Sequence, residues 1–132
     1  MYLLDTNICI YAINKRSEKV VKRVISHLPH QIKISSVTIA EMEYGASKSQ
    51  DRDKNRYAIL NFVSAFDILA FDDADAEIYG QIRAELEGKG KVIGPYDMQI
   101  AAQALAKDLI LVTNNVKEFE RVEGLRKENW AL

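Results

Sequence analysis

Three acids far apart in the chain carry the chemistry this sequence offers. Asp5 ends the apolar run "YLL" at residues 2–4, Glu41 lies in the stretch "VTIAEMEYGASK", and Asp97 follows "GPY" at residues 94–96. Brought to one place, three carboxylates repel one another and raise one another's pKa values. A divalent cation removes that conflict, and an all-oxygen donor set selects a hard ion, Mg²⁺, with Mn²⁺ as substitute. Such an ion keeps waters for a phosphate substrate, acidifies one of them and holds the leaving oxygen, as phosphodiester hydrolysis requires. Each acid also has a plainer reading. Asp5 suits a helix N-cap, and Asp97 suits a helix-start acid. Glu41 and Glu43, two apart, face different sides of a helix, and spacing does not say which turns inward. Asn114, Asn115 and Glu118 carry the pattern of capping chemistry.

The elements that must position these acids follow from hydrophobic periodicity. Tyr2–Leu4 reads as a strand, and Ile8, Ile10, Tyr11 and Ile13 as a short helix. Ser17 caps a helix carrying Val20, Val21, Val24, Ile25 and Leu28, which Pro29 stops. Ile32 and Ile34 form a second strand, and Ser35 or Ser36 caps the next helix, which Gly45 weakens or bends. Residues 48–56, "KSQDRDKNR", read as a charged connector. Tyr57, Leu60, Phe62, Val63 and Phe66 give a helical face, Ile68–Phe71 a third strand, and Asp72 or Asp73 the cap of a helix holding Ile78, Ile82 and Leu86. After the turn "EGKGK", Pro95 opens a helix rich in alanine. "LILVT" at residues 109–113 is the strongest strand, followed by the short helix "NNVKEFERV" and a tail, "LRKENWAL", that adds a last strand. Strands alternating with helices specify an α/β fold whose central sheet is mainly parallel, with about four or five short strands flanked by helices. Sites in such sheets form beyond the carboxyl ends of the strands. Asp5, the segment leading to Glu41, and Asn114 with Asn115 stand at such ends.

A length of 132 residues fits one domain, 1–132, with one real core at 48% hydrophobic residues. A net charge of -1 excludes a general electrostatic attraction to nucleic acid, so any such contact rests on a local patch or a bound metal. The basic groups available are Lys15 with Arg16, and Arg83 with Lys89 and Lys91. Cys9, the single cysteine, reads as a small buried hydrophobe, and the lack of an internal disulfide suits the reducing cytoplasm. His27 and His30 beside Pro29 read as a helix end, not a metal pair. No apolar stretch is long enough to span a membrane, and nothing reads as a leader. "DDADAE" has the acid alternation of a calcium loop without its glycine and late glutamate, and reads as an N-cap cluster. Tyr11, Tyr44 and Tyr96 neighbour the acids; core packing is their commoner fate, and stacking on an unpaired base the alternative. Trp130 reads as a core or dimer anchor.

Four blocks then stand in order along the whole chain: "MYLLDTNICIY", "ISSVTIAEMEYGASKS", "GQIRAELEGKGKVIGPYDMQIAAQA" and "LVTNNVKEFERV". Together they resemble the PIN-domain ribonucleases, and within them the VapC toxins of bacterial toxin–antitoxin pairs. The resemblance implies a three-layer PIN-like sandwich and a Mg²⁺-dependent endoribonuclease that leaves a 5′-phosphate and a 3′-hydroxyl. It assigns Asp5, Glu41 and Asp97 as the metal acids, with Asp5 and Asp97 the most direct ligands and Glu41 acting directly or through water. Thr6 and Asn7 match the polar residues that steady the first acid, and Thr113 and Asn115 match the last motif. Many PIN domains carry aspartate where Asn115 stands, which weakens the case for a tightly held second metal; Glu118 is placed to supply the missing charge. Lys15, Arg16, Arg83 and Lys91 are the candidates for RNA contact. The last two blocks are similar to the VapC branch that cuts initiator tRNA in its anticodon loop. The family also implies a homodimer and a cognate VapB-type antitoxin that blocks the site and assembles with the toxin on operator DNA.

Two other functions compete. A phosphoryl-aspartate protein also puts an aspartate at a strand end, but a phosphatase of that kind wants a second acid where Asn7 stands, and a receiver wants an acidic pair where Asp5 stands alone. The alternative within the same fold is a catalytically inactive PIN-like module that binds RNA or a partner. The presence of Asp5, Glu41 and Asp97 together speaks against it.

Overall fold

Five parallel strands and seven α-helices alternate along the chain. A computed structural model describes residues Met1 to Leu132. The strands are β1 (Tyr2–Leu4), β2 (Ile32–Ser35), β3 (Asp67–Leu69), β4 (Ile110–Val112) and β5 (Lys127–Glu128). The helices are α1 (Thr6–Ile13), α2 (Glu18–Ser26), α3 (Ser36–Ser47), α4 (Arg52–Val63), α5 (Asp73–Gly88), α6 (Pro95–Ala106) and α7 (Val116–Phe119).

The strand order is β3-β2-β1-β4-β5, and every neighbouring pair is parallel. Leu4 of β1 lies level with Ile34 of β2 and Val112 of β4, so the next residues on the three strands are Asp5, Ser35 and Thr113. The chain runs outward from β1 to β3, then returns to the other side of β1 to form β4. Beside β1 the order therefore reverses, which is where parallel sheets open a crevice.

Period-two alternation sends Leu3 and Leu111 to one face of the sheet and Leu4 and Val112 to the other. The first face is packed by Ile82 and Leu86 of α5, Met98, Ile100 and Ala101 of α6, and Phe119 of α7. The second is packed by Ile8 and Cys9 of α1, Val20 and Val24 of α2, Met42 of α3, and Ile59 and Val63 of α4. The result is three layers, helices on both sides of a sheet. Trp130, buried in the second core, stacks on His27 at 4.7 Å between ring centroids and 7° between planes, meets the edge of Tyr2 at 5.1 Å, and donates its Nε1–H to Glu128 at 2.9 Å. The tail is thereby fastened to β1 and to the end of α2. No helix is long and apolar enough to cross a membrane.

Local signals resolve as expected at the caps. Ser17, Ser35 and Asp72 each accept the N–H bond that starts a helix, and Asp72 forms a reciprocal capping box with the buried Asp75. Three expectations need refinement or correction. Gly45 weakens α3 without interrupting it: the helix runs unbroken from Ser36 to Ser47, and a Cβ at Gly45 would touch nothing within 4 Å. The charged connector is half helix, because α4 begins at Arg52 and presents its polar residues to solvent while Ile59 and Val63 turn inward. Tyr44 and Tyr96 are not core residues but stand 66% and 54% exposed.

Candidate active site

Asp5 is placed twice over by the fold. Its own N–H donates to the Val112 carbonyl at 2.9 Å, extending the β1–β4 ladder. Its Oδ1 accepts from the Ile8 N–H at 2.9 Å, capping α1. The carboxyl is 4% exposed. This burial pushes its pKa from the ordinary 3.8 up to about 6; the Thr113 hydroxyl and the Ile8 N–H pull it back, and the charge of Glu41 adds to the rise.

Glu41 lies on α3, whose first turn stands at the carboxyl end of β2. The Thr6 hydroxyl donates to Glu41 Oε1 at 2.7 Å and lies 3.1 Å from the Thr38 hydroxyl; with one proton per hydroxyl, Thr6 accepts from Thr38. Glu43 points elsewhere and takes the Arg56 Nε–H on both oxygens at 3.1 and 3.2 Å. Spacing left these two glutamates open, and the tertiary partner decides for Glu41.

Asp97 is the third residue of α6, after Gly94 and Pro95, and is half-buried. Burial, then the charges of Glu118, Asp5 and Glu41, push its carboxyl up to about 6, and a hydrogen bond with the Glu118 carboxyl adds to the rise. Asp97 thus feels the charge of all three other acids. Beyond β4, the Asn115 N–H donates to Thr113 Oγ1 at 2.9 Å, and Asn115 Nδ2 donates to Glu118 Oε2. Asn115 sits at the N-cap of α7, and its side chain bonds the Glu118 side chain in the same first turn and not a backbone N–H.

Asp5, Glu41, Asp97 and Glu118 thus form a cluster of negative charge, and none of them takes part in an ion pair. That uncompensated charge and the purely oxygen donor set fit a hard divalent cation. The expected set needs one correction: no three of these carboxyls converge into a finished ligand cage. A Mg²⁺ held by one or two carboxylates with its remaining waters requires none.

The supporting residues divide. Thr6 serves the second acid and not the first. Asn7 is exposed in the first turn of α1, and the bonds that steady Asp5 come instead from Ile8 and Thr113. Arg83 is taken up by Glu87 at 3.3 Å and the Tyr79 hydroxyl at 2.9 Å, and Lys91 is exposed beyond α5. Lys15 and Arg16 are exposed at the end of α1. Sequence reasoning missed Thr38, whose signal was its position three before Glu41 on one helix face. It also misjudged Asn114, whose Nδ2 donates not to a helix end but to the Tyr11 hydroxyl at 2.9 Å.

A sequence profile of the PIN domain matches residues 2–125. The chain belongs to the PIN-domain family. This PIN domain is 48% identical over 130 residues to the tRNA(fMet)-specific endonuclease VapC of Shigella flexneri, covering 98% of both chains. It is 43% identical over 131 residues to ribonuclease VapC2 of Rickettsia felis, again covering 98% of both. Its fold superposes with a TM-score of 0.92 on a chain from the crystal structure of VapBC2 from Rickettsia felis bound to a DNA fragment from their promoter, at 42% identity and with 98% of each chain covered. The PIN domain therefore falls in the VapC branch, as its four blocks suggested.

Proposed function

We propose that this PIN domain, spanning residues 1–132, is a Mg²⁺-dependent endoribonuclease, the toxin of a toxin–antitoxin pair, acting in the cytoplasm. The single observation that carries the reading is a cluster of four carboxyls without an ion-pair partner, drawn from beyond the carboxyl ends of β1, β2 and β4 and from the start of α6. Asp5 and Asp97 would hold the ion, with Glu41 beside them directly or through water and Glu118 in support. Bound there, Mg²⁺, or Mn²⁺ in its place, supplies an acidified water for attack on phosphorus and positive charge for the leaving 3′-oxygen. Thr113 and Ile8 keep Asp5 ionised and aimed, Thr6 fixes Glu41, and Asn115 orients Glu118.

The favoured substrate is tRNA, cut in the anticodon loop of the initiator species, a reading supported by the name of the Shigella flexneri relative. A VapB-type antitoxin, supported by the VapBC2 complex, closes the site and joins a toxin homodimer on operator DNA.

Incubation of the folded, antitoxin-free chain with total tRNA, with Mg²⁺ or with EDTA, tests the reading. Mg²⁺-dependent fragments ending in 5′-phosphate and 3′-hydroxyl are expected, and Asp97→Asn removes them. A folded chain that cuts neither tRNA, mRNA nor rRNA with Mg²⁺ or Mn²⁺ would leave the binding-only module as the function.

A further inference from the structure

The end of α1 is built to hold one arginine still. Lys15 adopts the left-handed conformation at φ 54°, uncommon for a residue with a Cβ. The chain therefore hooks back on the helix. The Lys15 N–H donates to the Ala12 carbonyl at 3.3 Å and the Arg16 N–H to the Tyr11 carbonyl at 3.0 Å. These are the two crossed bonds of a Schellman ending, which sets the residue after the left-handed one against the helix residue five earlier. An apolar contact usually fills that place. Here the Arg16 guanidinium lies 5.7 Å from the centroid of the Tyr11 ring, within cation–π range.

The far end of the same tyrosine is also fixed. Its hydroxyl accepts from Asn114 Nδ2, and Asn114 stands between Thr113, which bonds Asp5, and Asn115, which bonds Glu118. Arg16 is thus linked through one ring to the turn that carries the site. It is also unspent. Arg23, Arg56, Arg83 and Arg126 pair with acids, and Arg121 donates to a carbonyl. Arg16 and Arg52 alone have no such partner, and of these two only Arg16 lies over a ring. Holding a cation in place without a counter-charge is useful when the counter-charge arrives with a ligand.

We infer that Arg16, seated on Tyr11 and registered to the acids through Asn114, is the fixed phosphate-binding side chain of this site, gripping an RNA phosphate beside the one that is cleaved. The inference rests on the nuclease reading and adds to it the element that sets substrate register. A chain of net charge -1 needs such a local anchor, since its overall field attracts no polyanion.

The test combines cleavage kinetics with Mg²⁺ and binding of a labelled initiator-tRNA transcript in EDTA across a salt series. Arg16→Ala raises KM about tenfold with kcat nearly unchanged, as loss of one charge-assisted phosphate contact predicts. It also lowers the slope of log affinity against log salt by about 0.7. Arg16→Lys restores the slope and only part of KM, because charge returns without the planar fork. Tyr11→Phe, which keeps the ring and loses the Asn114 bond, raises KM by a smaller factor, and Arg52→Ala changes neither quantity. A folded Arg16→Ala protein with unchanged KM and salt slope beside an active parent overturns the assignment. A parent that neither binds nor cuts RNA overturns the nuclease reading itself.

Discussion

The Thr6 hydroxyl donates to the Glu41 carboxylate at 2.7 Å, so the residue that follows the first acid fixes the second. The two come from different strands' ends, 35 positions apart, and their bond crosses from α1 to α3. Replacing Thr6 with valine keeps the shape and removes the donor. A hydrogen bond to a charged group contributes about 1.5–3 kcal/mol. Cleavage by Thr6→Val should fall at least about tenfold, while Thr6→Ser keeps most of it. Single-turnover rates of the three proteins, with thermal midpoints as control, check this.

Asp5 makes stability depend on pH in an unusual direction for a carboxylate. Its folded pKa, about 6, lies above its ordinary 3.8, so between these values the folded chain holds more protons than the unfolded one. Stability from this group is complete below the ordinary value and is lost as pH rises through about 6. The loss is on the order of 3 kcal/mol for Asp5; Asp97, half-buried and shifted the same way, adds a smaller part. Denaturant midpoints in EDTA should be lower at pH 7.5 than at pH 5.5, and Asp5→Asn should flatten the difference. Mg²⁺ should raise the midpoint at the higher pH and hardly at the lower, where protons hold the ligands.

Trp130 ties the tail to two other parts of the chain. It is 1% exposed, and it bonds Glu128, stacks on His27 and meets Tyr2. Trp130→Ala should cost about 3–5 kcal/mol, the range for emptying a large aromatic site. Trp130→Phe, which keeps the stack and loses the Nε1 bond, should cost distinctly less. Equilibrium unfolding of both gives the values.

Gly45 sits in mid-helix with open space where a side chain would be. Glycine there costs α3 roughly 0.5–1 kcal/mol relative to alanine. Gly45→Ala should therefore raise the melting temperature by a few degrees; a fall would mean that the surrounding surface is not free.

These cases also mark what could be read from sequence and what could not. Asp5 was visible because an apolar run broken by an acid is a strand end with something to do there. The sheet and its two helical layers followed from the alternation of period two with period 3.6. Glu41 and Glu43 could not be separated, because the decision lay with Thr6 and Arg56, residues distant in sequence. Arg56 itself was hidden in a stretch with no apolar residue to show helical period; α4 extends into it because the helix begins before its buried face does. Asn114 looked like a cap because capping and cross-chain bonding draw on the same side chain, and only the position of Tyr11 separates them.

The central place of β1 has a consequence for synthesis. Its partners are β2, reached by residue 35, and β4, reached only at residue 112. A nascent chain carries Asp5 long before it carries the Val112 carbonyl and Thr113 that seat it. The carboxyl cluster therefore cannot assemble until β4 has been made. A chain broken off before β4 would hold the first acid without its seat, and with it no completed charge cluster.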